Sequence, residues 1–501
     1  MRFNKLFYLF AFITITNLSN NCFCQTTDTI FPQYSITLKE AHIGSLEIDT
    51  MLLNSYGNVP SNIKEFYIES RSIFKAANVD FTNNSIVKAA LNNDVRLLGG
   101  PLLGDLTSEG VRIWLRPASI QELTIKVKEE GCKKEHFFTV NPDVSGKQQS
   151  VVVKGLSSNT KYNYQIVSND ALLSEGSFTT APKNRTKKQV RIAFGSCFHK
   201  IGLHNPNLIN TILERSPHAM MLLGDIAVDD RENNFSMHRS DYLLRDVSPA
   251  WKKLSANIPL YTSWDDHDYL NNDLSGVPKR FTNKERDVLR KVWEENWNNP
   301  QNQLEGIYFN TRIGDVEIIM LDTRSCRTVN KRGEYGSYLE AEQLDWLKNV
   351  LENSTASYKI ISSGTMWSDY ITNGKDSWGT WDILAREEIF NFIEKENISG
   401  VLLISGDRHG ARGFIIPRDS GFKFYEFEAA SLGGVPGPNA WAKDTKNQLF
   451  GYKGAGLKAF GELTFNAEKQ NSSVTFRLIN EYGEIMEEHT LTYEELSPKG
   501  Q

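Results

Sequence analysis

Cysteine is scarce in this chain: 5 in 501 residues. Two of them, Cys22 and Cys24, fall in a short N-terminal stretch. Cys132, Cys197 and Cys326 remain, and an odd number cannot make a complete disulfide framework, so at least one thiol is free, blocked or bound to something. Charge of one sign is also lacking. The net charge of −5 argues against a general nucleic-acid binder, which is usually basic. No internal repeat or long low-complexity tract stands out. Beyond the first residues no segment is apolar for long enough to cross a bilayer. What is present, 40% hydrophobic and 23% charged residues over this length, belongs to a soluble globular protein of two or three domains.

The N-terminus carries an address. Arg2 and Lys5 precede the apolar run Leu6–Ile15, and small residues at Cys22 and Cys24 suit cleavage before Gln25. Residues 1–24 are therefore expected to be a signal peptide and the mature protein to be exported, periplasmic or extracellular. Residues 25–95 read as a partly helical extension, with Ile63, Phe66, Tyr67, Ile73 and Phe74 at helical spacing in Ser61–Ala77.

From 96 to 182 short alternating strands take over, as in Val111–Leu115 and Leu123–Val127. The string from Gly155 through Tyr162, Tyr164 and Ile166 looks like a fibronectin type III sandwich. The polar, basic string Pro182–Lys188 places a linker at 183–189. From 190 to 501 strands alternate with helices, which implies an α/β layer architecture. Expected strands are Val190–Phe194, Ala219–Leu223, Ile258–Tyr261, Glu317–Leu321, Tyr358–Ile361 and Val401–Ile404. Expected helices are Leu208–Glu214, Ile383–Ile393 and one opened by a capping box at Ser337 and Glu340, with Leu344, Leu347 and Leu351 on one face. The tail Phe460–Tyr493 returns to strands.

The chemistry follows the strands. Val190–Phe194 runs into Cys197, Ala219–Leu223 into Asp225, Ile258–Tyr261 into Asp265-Asp266-His267-Asp268, and Val401–Ile404 into Asp407-Arg408-His409. In open α/β sheets ligands bind past the carboxyl ends of strands, so these groups are expected to meet. Several carboxylates buried together without a cation would be severely unfavourable, and a metal cluster resolves that conflict.

These strings, with Phe194-Gly195-Ser196-Cys197, Leu223-Gly224-Asp225 and Leu321-Asp322-Thr323-Arg324-Ser325, resemble the PhoD-type alkaline phosphatases within the calcineurin-like metallophosphoesterases. The resemblance covers roughly residues 96–495. It implies a metallophosphoesterase-type β-sandwich core flanked by helices, preceded by a fibronectin type III-like β-sandwich. It also implies two or more metal ions: iron with calcium in this family, zinc, manganese or magnesium in relatives. By resemblance Asp225 bridges two metals, Cys197 and Asp407 bind the iron, Asp266 stands where the superfamily has a metal-binding Asn, and His409 binds the second metal. His267 is implied as proton donor or transition-state stabiliser. One departure stands out: the family often has an iron-binding Tyr three residues after the bridging Asp, and here the residue is Val228. Asp229 or Asp230 are candidates to compensate.

The expected reaction is hydrolysis of phosphate mono- or diesters, with cations clamping the phosphate and activating water. His267 would act as general acid, oriented by Asp230 or Asp265. Arg324, Arg327 and Arg408 are candidates for gripping phosphate oxygens, with Arg324 the foremost because it follows a strand directly. The expected partner is a small phosphate-ester substrate, with no stable nucleic-acid complex and no membrane after signal removal. Two alternatives stand beside this reading: a purple-acid-phosphatase-like enzyme, and a secreted binding or adhesion protein on an inactive phosphatase scaffold.

Overall fold

The computed structural model describes residues 42, 44–55, 57, 59–301, 304–372, 374, 376–467 and 472–498. All lie in one compact unit, Tyr34–Gln501. The expected signal peptide and the start of the extension lie outside the described residues. Among the described residues no helix is long and apolar enough to cross a membrane.

Helices Leu46–Ser55, Ser61–Ala76 and Asn84–Asn92 form the described part of the extension. Ser61–Ala76 matches the apolar spacing read from sequence. Its Phe66, Tyr67 and Phe74 pack with Leu52, Leu53 and Ile86 against Met237, Leu243, Leu244 and Val247 of helix Phe235–Val247. Seven strands follow among the described residues: β1 (Leu97–Thr107), β2 (Gly110–Pro117), β3 (Leu123–Glu129), β4 (Glu135–Val140), β5 (Gln149–Val153), β6 (Lys161–Ser168) and β7 (Ala171–Thr179). They make two antiparallel sheets, ordered β1-β2-β5 and β4-β3-β6-β7. Their apolar core, including Leu103, Ile113, Ile125 and Ile166, is continuous with Val190, Ile192 and Phe194 of the next layer.

The rest is built on two mixed sheets. The first holds β8 (Val190–Gly195), β9 (Ala219–Leu223), β10 (Leu260–Ser263), β18 (Ala459–Asn466), β19 (Ser473–Asn480) and β20 (Ile485–Thr492), in the order β10-β9-β8-β18-β19-β20. The second holds β11 (Phe309–Ile313), β12 (Val316–Met320), β13 (Tyr358–Ser362), β14 (Val401–Ser405), β15 (Gly410–Pro417), β16 (Lys423–Ala430) and β17 (Gln448–Lys453), in the order β11-β12-β13-β14-β16-β15-β17. Strands β8, β9 and β10 run parallel, as do β12, β13 and β14.

Side-chain alternation explains why these strands are apolar throughout. In β9, Ala219, Met221 and Leu223 point into a core shared with Ile318, Met320, Ile360, Leu402 and Ile404 of the other sheet. Met220 and Leu222 face the opposite way, onto Ile209, Ile212 and Leu254 of the covering helices. Ile319, Ile361 and Leu403 do the same toward Leu344, Leu347, Leu351, Ile389 and Phe390. Both faces are covered, so period two is invisible in the sequence. Each such fully buried Leu or Ile contributes about 1.5–3 kcal/mol relative to exposure.

Three boundaries differ from the sequence reading. β10 starts at Leu260, because the Ile258 amide donates to Leu254 O and closes the preceding helix. The helix expected from Ile383 begins at Trp378. It is kinked at Asp382 (φ −157°), whose carboxylate accepts from the Ala385 amide at 2.9 Å and restarts the helix where the sequence pattern begins. The capping box at Ser337 does not form. The Ser337 hydroxyl donates to Trp381 O at 2.9 Å, and the helix Glu340–Asn353 starts from Leu339 without a side-chain cap.

Candidate metal centre

The rim where the parallel strands end is where the expected residues converge. β8 leads to Cys197, β9 to Asp225, β10 to Asp265–Asp268, β12 to Asp322 and Arg324, and β14 to Asp407 and His409. The loops turn sharply there. Cys197, His199, Asp225, Asp407 and His409 all have positive φ, between 33° and 69°, a backbone that side-chain-bearing residues rarely adopt and that marks functional loops. Gly224 (φ +97°) admits a close approach: a Cβ there would sit 2.4 Å from Asp265 Cβ. Asp268 ties these turns together by accepting the amides of Asp225 (2.5 Å), Ile226 (3.1 Å) and Asp265 (3.2 Å).

Four donor groups result among the described residues, each with ligand atoms within 4.8 Å of one another: Cys197, His199, Asp225 and His409; Asp225, Asp266 and His267; Asp265, Asp266 and Asp407; and His42, Asp230 and His267. Asp225 is shared by the first two. Cys197 Sγ is 3.6 Å from Asp225 Oδ2, and His199 Nε2 is 3.2 Å from His409 Nε2. The sequence reading grouped Asp407 with Cys197 and gave His409 to the other metal. In the structure His409 stands with Cys197, and Asp407 with Asp265 and Asp266, on either side of the positive-φ turn after β14.

The electrostatics call for cations. Burial, then Asp266, pushes the Asp225 carboxyl well above its usual range; burial, then Asp265 and Asp376, does the same to Asp407. Burial and Asp225 push the Cys197 thiol up. Burial also drives His199 down, toward neutral imidazole. Asp225 Oδ1 and Asp407 Oδ2 are buried with no hydrogen-bond partner. A cation relieves all of these at once, so the residues fit a metal cluster. Burial opposes ionisation of Asp266 and His267, yet Arg324 and His267 hold the Asp266 carboxyl low, while Asp266, Asp225 and Asp230 hold the His267 imidazolium.

His267 Nδ1 lies 2.7 Å from Asp230 Oδ1, so Asp230 orients the imidazole. Asp265 instead pairs with the Arg324 guanidinium. Arg324 is fully buried, 2.8 Å from Asp376 and 3.7 Å from Asp407, and its Nη1 and Nη2 make ion-pair contacts but no hydrogen bond. Arg327 is likewise buried on Asp376. Arg408, with 14% of its side chain exposed, is the most exposed of the three and lies 3.7 Å from Asp407. Val228 is a core residue, and Asp229 joins a separate ion cluster on Lys200, so neither takes the place of the family's tyrosine. Trp264 donates to Asp322 at 2.8 Å and Trp367 stacks on Trp378, so both are core.

Two histidines escaped the sequence reading. His199 had a signal: it stands two residues past Cys197, off the same strand. His42 had none. It comes from the extension, with its Nε2 3.1 Å from His199 Nδ1 and its ring centroid 4.0 Å from that of His267. Burial drives it down to about 3, so it is neutral.

Known proteins show the same arrangement of chain. A solved structure of PhoD superposes with a TM-score of 0.62 at 19% identity, covering 79% of this chain and 88% of that one. A purple acid phosphatase from yellow lupin (Lupinus luteus) seeds superposes at 0.58 and 12% identity, covering 79% and 75%. These likenesses are of fold. In sequence, alkaline phosphatase D of Bacillus subtilis (strain 168) is 24% identical over 384 residues, 62% of this chain, and the match spans 64% of that relative's length. The family model for PhoD-like phosphatases matches residues 225–476, from the shared carboxylate through the last donor group, and the chain belongs to that family.

Proposed function

We propose that the chain is an exported, metal-dependent phosphoesterase that hydrolyses phosphate mono- or diesters. One observation carries the reading: a thiol, imidazoles and carboxylates from four strand ends form overlapping donor groups, two of which share Asp225. Cys197, His199, Asp225 and His409 would hold one ion. Their thiolate and imidazoles favour iron or zinc. Asp225, Asp266 and Asp407 would hold another, with oxygens that favour calcium, magnesium or manganese. His199 supplies the donor that Val228 cannot. When bound, such ions neutralise phosphoryl oxygens and activate water.

The chain's own groups do the rest. Asp230 fixes His267 through Nδ1 and leaves Nε2 to deliver a proton to the departing alkoxide. Arg324 offsets the negative charge of Asp265, Asp266 and Asp407, and holds them in place. Arg408 is the guanidinium placed to meet a phosphate. The family match and the complete donor set favour this over an inactive binding scaffold.

We also assign the sandwich to the fibronectin type III type. Its three-plus-four strand order supports this, as does the Ser157 amide donating at 2.9 Å to the hydroxyl of Tyr162 at the start of β6. Export rests on the N-terminal pattern.

The test is a phosphoester panel with elemental analysis. Chelation should abolish turnover and added divalent ion restore it, and Asp225→Ala should be inactive while folded. Full turnover by metal-free protein, or by Asp225→Ala, would overturn the reading.

A further inference from the structure

The extension docks onto two adjacent residues of the β8 loop. His42 meets His199 through a 3.1 Å Nε2–Nδ1 contact. Asp49, buried at 0% exposure, meets Lys200 at 3.2 Å. Lys200 also pairs with Asp229 (2.5 Å) and Asp241 (2.7 Å), and Arg71 and Arg231 pair with Asp49 and Asp241. Three cations thus face three carboxylates out of solvent. Between His42 and Asp49 the chain turns at Gly44 (φ +57°), whose carbonyl accepts from Arg71 (2.6 Å) and Arg231 (3.3 Å). A Cβ there would lie 2.2 Å from the Arg231 guanidinium. Such a clamp exceeds what a loose cover needs, and it fixes where His42 stands.

Tautomer logic gives His42 its task. His199 Nε2 faces His409, Cys197 and Asp225, so as a ligand it uses that nitrogen and carries its proton on Nδ1. That N–H points at His42 Nε2, which must accept it. Ligating histidines are oriented in this way through their second nitrogen, and loss of such a partner costs metal affinity. We propose that the N-terminal extension completes the metal centre in cis, with His42 the positioning residue that orients His199. The inference rests on the proposed role of His199 as a metal ligand.

The test uses the full chain stripped by chelation and titrated with Co²⁺, whose visible spectrum reports ligand geometry. His42→Ala, and His42→Phe as a variant that keeps the ring's bulk, should each weaken Co²⁺ at the thiolate site by about 10- to 100-fold and shift its bands. His42→Gln, which restores an acceptor, should bring both back toward wild type. Wild-type Co²⁺ affinity and spectrum in a folded His42→Ala or His42→Phe protein would overturn the inference alone. Wild-type protein that binds no Co²⁺, or binds it unchanged after Cys197→Ser, would overturn the metal-site reading and this inference with it.

Discussion

Asp230→Ala isolates the proton-delivery step. Asp230 touches His267 through one 2.7 Å contact to Nδ1; it falls in a donor group with His42 and His267 but in neither group that holds Asp225. A hydrogen bond to a charged group contributes about 1.5–3 kcal/mol. At about 1.4 kcal/mol per tenfold, its loss should lower kcat by about 10- to 150-fold where protonation of the leaving group limits the rate. The leaving group decides the matter. An alkyl or phenyl phosphate departs as a basic oxyanion and needs the proton, so the full loss should appear. A p-nitrophenyl ester departs as a stable anion, so its rate should fall far less. The assay compares kcat for both esters in wild type and variant at saturating metal. Equal losses on the two esters would refute proton delivery by the Asp230–His267 pair.

Other outcomes follow from the packing and charges. Lys200→Met leaves three buried carboxylates against two arginines and should destabilise the fold by about 3–5 kcal/mol, read by denaturant unfolding. Val228→Tyr puts a large ring into a core position at 1% exposure; it should cost about 1–3 kcal/mol in the same assay and fail to give an iron–tyrosinate colour. His238, buried and donating its Nε2–H to Glu232 O at 2.9 Å, is lowered by burial from 6.5 to about 4. Its neutral form is favoured by folding, so its contribution is complete above pH 6.5. That contribution is lost as pH falls from 6.5 toward 4, by about 3 kcal/mol at the lower end. His238→Gln should flatten the fall in Tm across that window, and an unchanged slope would count against it.

The rim was legible because each donor follows an apolar strand, and strand ends in a parallel sheet share an edge. Cys197, Asp225, Asp266, His267, Asp407 and His409 could be named that way. Their sorting could not. Which donors Asp407 and His409 stand beside depends on a positive-φ turn that leaves no mark in residue type. His199 reaches the site because the positive-φ backbone at Cys197 and His199 turns it back toward Asp225, which residue type alone does not show. His42 was invisible, since its partner lies 157 residues away and nothing local distinguishes it. Arg324 is legible as a rim residue because it follows a strand, whereas its pairing with Asp265 and Asp376 is set by the fold and leaves no local mark. Ser337 and Glu340 had capping-box spacing, but a tertiary bond to Trp381 took the serine.

The central claim is that this rim holds metal through Asp225. Elemental analysis of the purified chain beside a folded Asp225→Asn variant tests it most directly. The account predicts at least two metal ions per wild-type chain and a marked loss in the variant. Equal metal content in the two proteins, or none in an active wild type, would contradict it.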